Sequence, residues 1–218
     1  MDRNVTDAQE NLCRLCLVTP AGAAPEEFAE ILEEALSGND VASLIITTDR
    51  DDLASLAKGL VPVAQVHGVA ALIHNNARIA EDTGADGVHI DDWSNDLATS
   101  LTALRPNKIA GIGDLRSRHD AMLAGESDPD YVFFGRLDGD SAATIFDKAL
   151  DLAEWWASLA RIPAIVMGGT SLSSVRQAHD AGIEFVALRQ AVWNHPAGAA
   201  TAVAEANRML SAEEEMVP

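Results

Sequence analysis

Eight short β-branched or apolar runs recur along this chain of 218 residues, each followed by a stretch of helical periodicity, and composition does not break from one end to the other. The runs fall at residues 15–19, 43–47, 71–74, 87–90, 109–113, 131–135, 164–168 and 185–188. The helical stretches fall at 25–36, 51–66, 76–82, 96–104, 117–124, 146–159, 171–181 and 197–210. The plainest is FDKALDLAEWWASLA, in which Phe146, Ala149, Leu150, Ala153, Trp156 and Leu159 return every three or four residues and share one face. Asp96 and Ser171 stand where N-caps belong, and Gly84 and Gly182 where helices should stop. Strands separated by helices pair in parallel through right-handed crossovers. Eight such units close a (β/α)8 TIM barrel, an α/β fold. An open doubly wound sheet shares the periodicity, but the count of eight and the lack of G-x-G-x-x-G after the first run favour the barrel.

One barrel domain is expected over residues 12–210, with an extension at 1–11 and an acidic tail at 211–218. A hydrophobic fraction of 48% with 22% charged residues is the composition of a chain with a core. Acidic side chains number 34 against 15 basic ones, a formal charge of −19. Such a surface repels nucleic acid, whose binding rests on Lys and Arg at phosphates, and repels an anionic membrane for the same reason. The opening residues carry no apolar signal core and no later stretch spans a bilayer, so a soluble cytoplasmic protein is expected. Cys13 and Cys16 form a C-x-x-C on the first strand. Residues three apart on a strand face opposite ways, which points to two buried thiols rather than a redox pair or a metal site.

In a barrel, chemistry belongs at the C-terminal ends of the strands. After strand 7 the chain reads VMGGTS. Gly168 and Gly169, with Thr170, let backbone N–H groups approach an anion, and Leu188 and Arg189 end strand 8 beside them. The alternative is a tight glycine turn with a solvated arginine. After strand 4, Asp91 and Asp92 offer carboxylates to Mg²⁺, although adjacent residues on extended chain point apart and a surface aspartate is the commoner meaning in so acidic a chain. His74 and Asn75 fall at the mouth after strand 3, where His74 is either functional or a hydrogen-bonded loop histidine, whereas His89, inside strand 4, is expected to face the helices or the packed interior. Trp93 and Trp193, near strand ends, either cap a ligand or pack on neighbouring helices.

Three segments carry a resemblance: GADGVHI at 84–90, PDYVFFG at 129–135 and IPAIVMGGTSLSSVRQAHDAGIEFVAL at 162–188. In this order and spacing they are similar to the thiamine phosphate synthase and TenI superfamily of (β/α)8 barrels, over about residues 12–210. The resemblance implies thiamine biosynthesis, by transfer of a pyrimidine from its diphosphate to a thiazole phosphate with Mg²⁺ assistance, or isomerisation of a thiazole phosphate as in TenI relatives. It also implies a homodimer.

Departures from the family pattern are local to the strand ends. Where the family has Gln-x-Arg-x-Lys after strand 2, this chain has Ile46, Thr48 and Arg50; its Asn-Asp after strand 3 is His74 and Asn75. Gly-Gln-x-Asp after strand 4 becomes Asp91, Asp92, Trp93 and Ser94, and the strand 5 Ser becomes Gly113. The Pro-Thr-x-Thr-Lys loop after strand 6 becomes RLDGDSAAT, without a lysine. On this resemblance Arg50, Arg136 and His74 are the catalytic candidates, Gly168, Gly169, Thr170, Leu188 and Arg189 bind phosphate, and Asn75, Asp91 and Asp92 hold Mg²⁺. The partner is a small phosphorylated heterocycle. A divergent transferase, a catalytically silent phosphate-ester-binding barrel and a TenI-like isomerase all remain compatible with these residues.

Overall fold

The computed structural model describes residues 13–91 and 107–211. Eight parallel strands form one closed barrel in sequence order: β1 (Arg14–Val18), β2 (Ser43–Ile46), β3 (Ala70–His74), β4 (Gly87–Ile90), β5 (Ile109–Leu115), β6 (Tyr131–Phe134), β7 (Ala164–Met167) and β8 (Phe185–Leu188). Closure is made by β8 on β1, with Leu188 opposite Leu17. The described helices are α1 (Pro25–Leu36), α2 (Leu53–Val66), α3 (Ala77–Thr83), α4 (Arg118–Glu126), α5 (Asp147–Ala157), α6 (Ser173–Asp180), α7 (Gln190–Trp193) and α8 (Ala199–Ser211). All eight expected strands are present, displaced at their ends by no more than two residues. The helix expected at 96–104, its cap Asp96, Asp92 and Trp93 lie outside the described residues, as do the whole extension and all of the tail but Ser211.

Strand alternation divides the core in two. Leu15 and Leu17 face the helices, while Cys16 and Val18 join Ile45, Leu72, Tyr131, Phe133, Ile165 and Met167 inside the barrel. Cys13 packs in the outer layer and Cys16 in the inner one, both free and buried. Burial pushes the Cys13 thiol up to about 12 and the Cys16 thiol up to about 11, so neither is a thiolate near neutrality.

Local chemistry sets the helix ends. The Asn76 side chain accepts from Ile79 N and Ser117 from Asp120 N, capping α3 and α4. Gly84, at φ 69°, ends α3 in the left-handed conformation. Ser171 does not cap α6 as expected: the N-cap is Leu172, and the Ser171 hydroxyl instead accepts from Ser173 N.

Acids at the opposite, N-terminal face hold the strands in register. Asp86 accepts from Ala71 N (2.8 Å), Asp130 from Ala110 N (2.8 Å) and Glu184 from Ala164 N (3.0 Å), so the carboxylate just before β4, β6 and β8 takes an amide of the strand preceding it. Arg14 and Asp40 make the comparable link between β1 and the approach to β2, through two bonds of 3.1 and 2.7 Å. These acids belong to scaffold, on the face remote from the barrel's chemistry.

Candidate active site

A cavity of about 770 Å³ opens at the C-terminal ends of the strands, lined by Thr19, Thr47, Thr48, Asp49, His74, Asp91, Asp114, Arg116, Arg136, Leu137, Asp138 and Arg189. Its floor is a column of polar side chains running into the barrel. Thr19, fully buried, donates to Thr47 O (2.5 Å) and accepts from Thr47 N (2.9 Å), which fixes Thr47 at the rim. The Thr47 hydroxyl is 2.9 Å from His74 Nδ1, and His74 Nε2 is 3.0 Å from Asp91 Oδ2. The other carboxylate oxygen, Oδ1, is 3.0 Å from His89 Nε2, and His89 Nδ1 is 2.8 Å from the Tyr131 hydroxyl.

One assignment of protons satisfies the whole column. Burial opposes charge on Asp91, but hydrogen bonds from His74 and His89 outweigh it and hold the carboxyl well below the usual carboxylate range. An ionised Asp91 accepts an N–H from each Nε2, leaving each Nδ1 to accept a hydroxyl proton, from Thr47 on one side and Tyr131 on the other. Burial pushes the Tyr131 phenol up, which keeps it a donor. The Asn75 amide stands 3.0 Å from His74 Nε2, yet that nitrogen serves only one partner and the charged oxygen prevails. Asn75, in the left-handed region at φ 50°, accepts from Asp91 N (2.8 Å) through Oδ1 and so seats the aspartate.

Room for this column comes from β5. A Cβ on Gly113 would lie 2.0 Å from Asp91 Oδ1 and 2.7 Å from His89 Nε2, and one on Gly111 would lie 1.9 Å from the Tyr131 ring. The alternate glycines of IAGIGD therefore mark where the partners' side chains cross the barrel. Sequence reasoning placed His74 at the mouth and His89 in the strand interior. It missed Tyr131, for which Gly111 was the available signal, and Thr47, which nothing in the sequence marks.

The cations divide into two kinds. Arg136 is paired with Asp138 through bonds of 2.9 and 2.8 Å, and Arg116 with Asp114 through two of 2.9 Å; all four side chains line the cavity and both arginines are largely exposed. Such pairs are worth little in water, so these guanidinium groups are available to an incoming anion. Arg189 is different: with only 13% of its side chain exposed it bonds the fully buried Asp140 through Nε (3.0 Å) and Nη2 (2.5 Å). Arg50, 3.6 Å from Asp52, is not among the residues lining the cavity. Arg116, which follows β5, lines it.

The strand 7 turn is close-packed. Gly168 N bonds Ala187 O (2.8 Å), Thr170 N bonds Ala142 O (2.7 Å) and Ser171 N bonds Ala143 O (3.3 Å). Leu188, fully buried, points into the outer core. Trp193 donates to Val18 O (2.7 Å) and meets Phe28 edge-on at 4.8 Å, which is packing rather than a ligand lid.

The described residues do not fit a Mg²⁺ site. Both oxygens of Asp91 are taken by imidazole N–H groups and the Asn75 oxygen by a backbone amide. Among the described residues no group of three or more His, Cys, Asp or Glu is arranged to hold a metal ion. Asp92 lies outside them.

A closed parallel barrel with a charged cleft at its C-terminal mouth defines a (β/α)8 barrel with the layout of an enzyme. The thiamine monophosphate synthase family model matches residues 15–192. The thiamine-phosphate synthase of Rhodospirillum centenum is 34% identical over 204 residues, 91% of this chain and 98% of that protein. That of Hyphomonas neptunium is 34% identical over 206 residues, 90% of this chain and 93% of that protein. Among solved structures, a thiamine phosphate pyrophosphorylase from Pyrococcus furiosus superposes with a TM-score of 0.75 at 19% identity, covering 93% of this chain and 97% of that one. A 3-hexulose-6-phosphate synthase gives 0.69 at 19%, covering 90% and 99%. This chain belongs to the thiamine monophosphate synthase family. No described helix is long and apolar enough to cross a membrane.

Proposed function

We propose that this chain is a divergent thiamine-phosphate-synthase-type transferase that binds thiazole phosphate, or a closely related phosphorylated heterocycle, at the barrel mouth. The observation that supports this reading is the convergence of Arg116, Arg136 and Arg189 on one cavity of a molecule whose formal charge is −19. Three arginines gathered among the aspartates of one cleft offer a small anion a place to pair that the rest of the surface does not. Arg136 and Arg116, released from Asp138 and Asp114, stabilise charge developing on the departing diphosphate as the thiazole nitrogen bonds the pyrimidine carbon, and His74, its tautomer fixed by Asp91, stands beside them as a hydrogen-bonding group. Gly168, Gly169, Thr170, Leu188 and Arg189 seat the thiazole phosphate. The same reading takes residues 12–210 as one domain between an extension and a tail, working in the cytoplasm as a homodimer.

One observation favours a second reading. Thr47, His74 and Asp91 form a hydroxyl, base and orienting-carboxylate series with spacings of 2.9 and 3.0 Å, the arrangement of a proton-transfer site, and the strand 6 loop lacks a lysine for a diphosphate. That favours an isomerase acting on one phosphorylated heterocycle, with a silent binder as the limiting case. The test is pyrophosphate release from pyrimidine diphosphate and thiazole phosphate, with and without added Mg²⁺. Product above background supports the transferase. Proton exchange into thiazole phosphate without pyrophosphate supports the isomerase, and neither activity beside tight binding supports the silent barrel.

A further inference from the structure

The loop after β6 is exposed at Arg136, Asp138 and Ser141, yet Asp140 within it is only 1% exposed. Its Oδ1 accepts both bonds from Arg189, its Oδ2 accepts from Gln190 N (2.8 Å), and its backbone oxygen accepts from the Gln190 side chain (2.9 Å). Two residues further on, Ala142 and Ala143 turn their carbonyls onto the N–H groups of Thr170 and Ser171. Gly169 lies so close beneath that a Cβ there would stand 2.4 Å from Ala143 O. One loop thus satisfies the guanidinium of Arg189 and the amides of Thr170, Ser171 and Gln190. These are the donors that the turns after β7 and β8 would offer a phosphate.

We infer that Asp140 is a built-in anion plugging the phosphate subsite of this mouth, and that a phosphorylated ligand gains the Arg189 and Gln190 donors by displacing it. The inference rests on the phosphate-ester reading above. Carboxylate and phosphate compete for the same donors because both are charged acceptors suited to a planar guanidinium. A buried arginine needs such a counter-charge, which explains an aspartate reaching inward from a solvated loop. The wild-type protein binds in proportion to the fraction with the loop lifted, so the plug selects ligands with enough further contacts to open it.

The test titrates inorganic phosphate and thiazole phosphate into the full chain and into Asp140→Asn by calorimetry, with the Gln190 amide and Arg189 Nε followed by NMR. Asparagine keeps the acceptor and the size but removes the charge. Asp140→Asn is expected to bind both ligands at least about tenfold tighter, with both NMR signals shifted at saturation. A folded Asp140→Asn with wild-type affinity overturns the plug and leaves the phosphate-ester reading standing, provided the wild type binds thiazole phosphate. Absence of binding by either protein overturns both. Should Asp140→Asn not fold, Asp140→Ser replaces it, and the wild-type spectrum decides: signals of residues 140–143 that move on saturation with thiazole phosphate support displacement, and signals that stay overturn it.

Discussion

Gly113→Ala probes the column beneath the mouth with a single methyl group. Its Cβ would stand 2.0 Å from Asp91 Oδ1, 2.7 Å from His89 Nε2 and 2.9 Å from His89 Cε1. Carbon and oxygen cannot approach so closely, and His89 is fully buried, so the Asp91–His89 bond must open. Overpacking of this kind costs about 1–3 kcal/mol, and loss of a buried hydrogen bond to a charged group adds about 1.5–3 kcal/mol, partly the same energy. We expect Gly113→Ala to lose about 2–4 kcal/mol, a fall in thermal midpoint of about 4–16 °C for a chain of this size. Urea denaturation at neutral pH gives the first figure and calorimetry the second. The imidazole NMR signals of both His74 and His89 should shift with the loss, because both share Asp91. A variant within about 0.5 kcal/mol of wild type with unmoved imidazoles would refute the packed column.

Glu184→Ala leaves the Ala164 amide without its acceptor at the opposite end of the barrel; urea denaturation should show a loss of about 1–3 kcal/mol, with ligand affinity at the mouth unchanged. Alkaline stability should fall as well. The folded thiols titrate above their ordinary value of 9.0, Cys16 at about 11 and Cys13 at about 12, so their contribution is whole below pH 9 and is lost as pH rises through those values. Each thiol accounts for up to about 1.4 kcal/mol per pH unit in that window, and Cys16→Ala should flatten the denaturation free energy plotted from pH 9 to 11. A profile as steep in Cys16→Ala as in wild type would count against the assignment.

The strands were legible because each is a short apolar run buried on both faces, which only a covered parallel sheet demands. The extension of β5 to Leu115 was not, since it depends on a register shift past Ile112 and on Asp114 at φ 53°. The four residues of α7 are too few for periodicity to show. At the site, position was legible and partnership was not. His74 could be set at the mouth from where its strand ends. That Arg189 is matched by Asp140, 49 residues away, depends on how one loop folds over another and leaves no mark in spacing. The acids in GADGVHI and PDYVFFG help carry the family resemblance, yet Asp86 and Asp130 serve strand register at the far face.

Calorimetric titration of thiazole phosphate into the full chain tests most directly whether this mouth is a phosphate-ester site. One site per chain is expected, with competition by inorganic phosphate and weaker binding at higher salt, while Arg136→Ala loses affinity for pyrimidine diphosphate rather than for thiazole phosphate. No binding heat, together with an unchanged thermal midpoint at millimolar ligand, would contradict it.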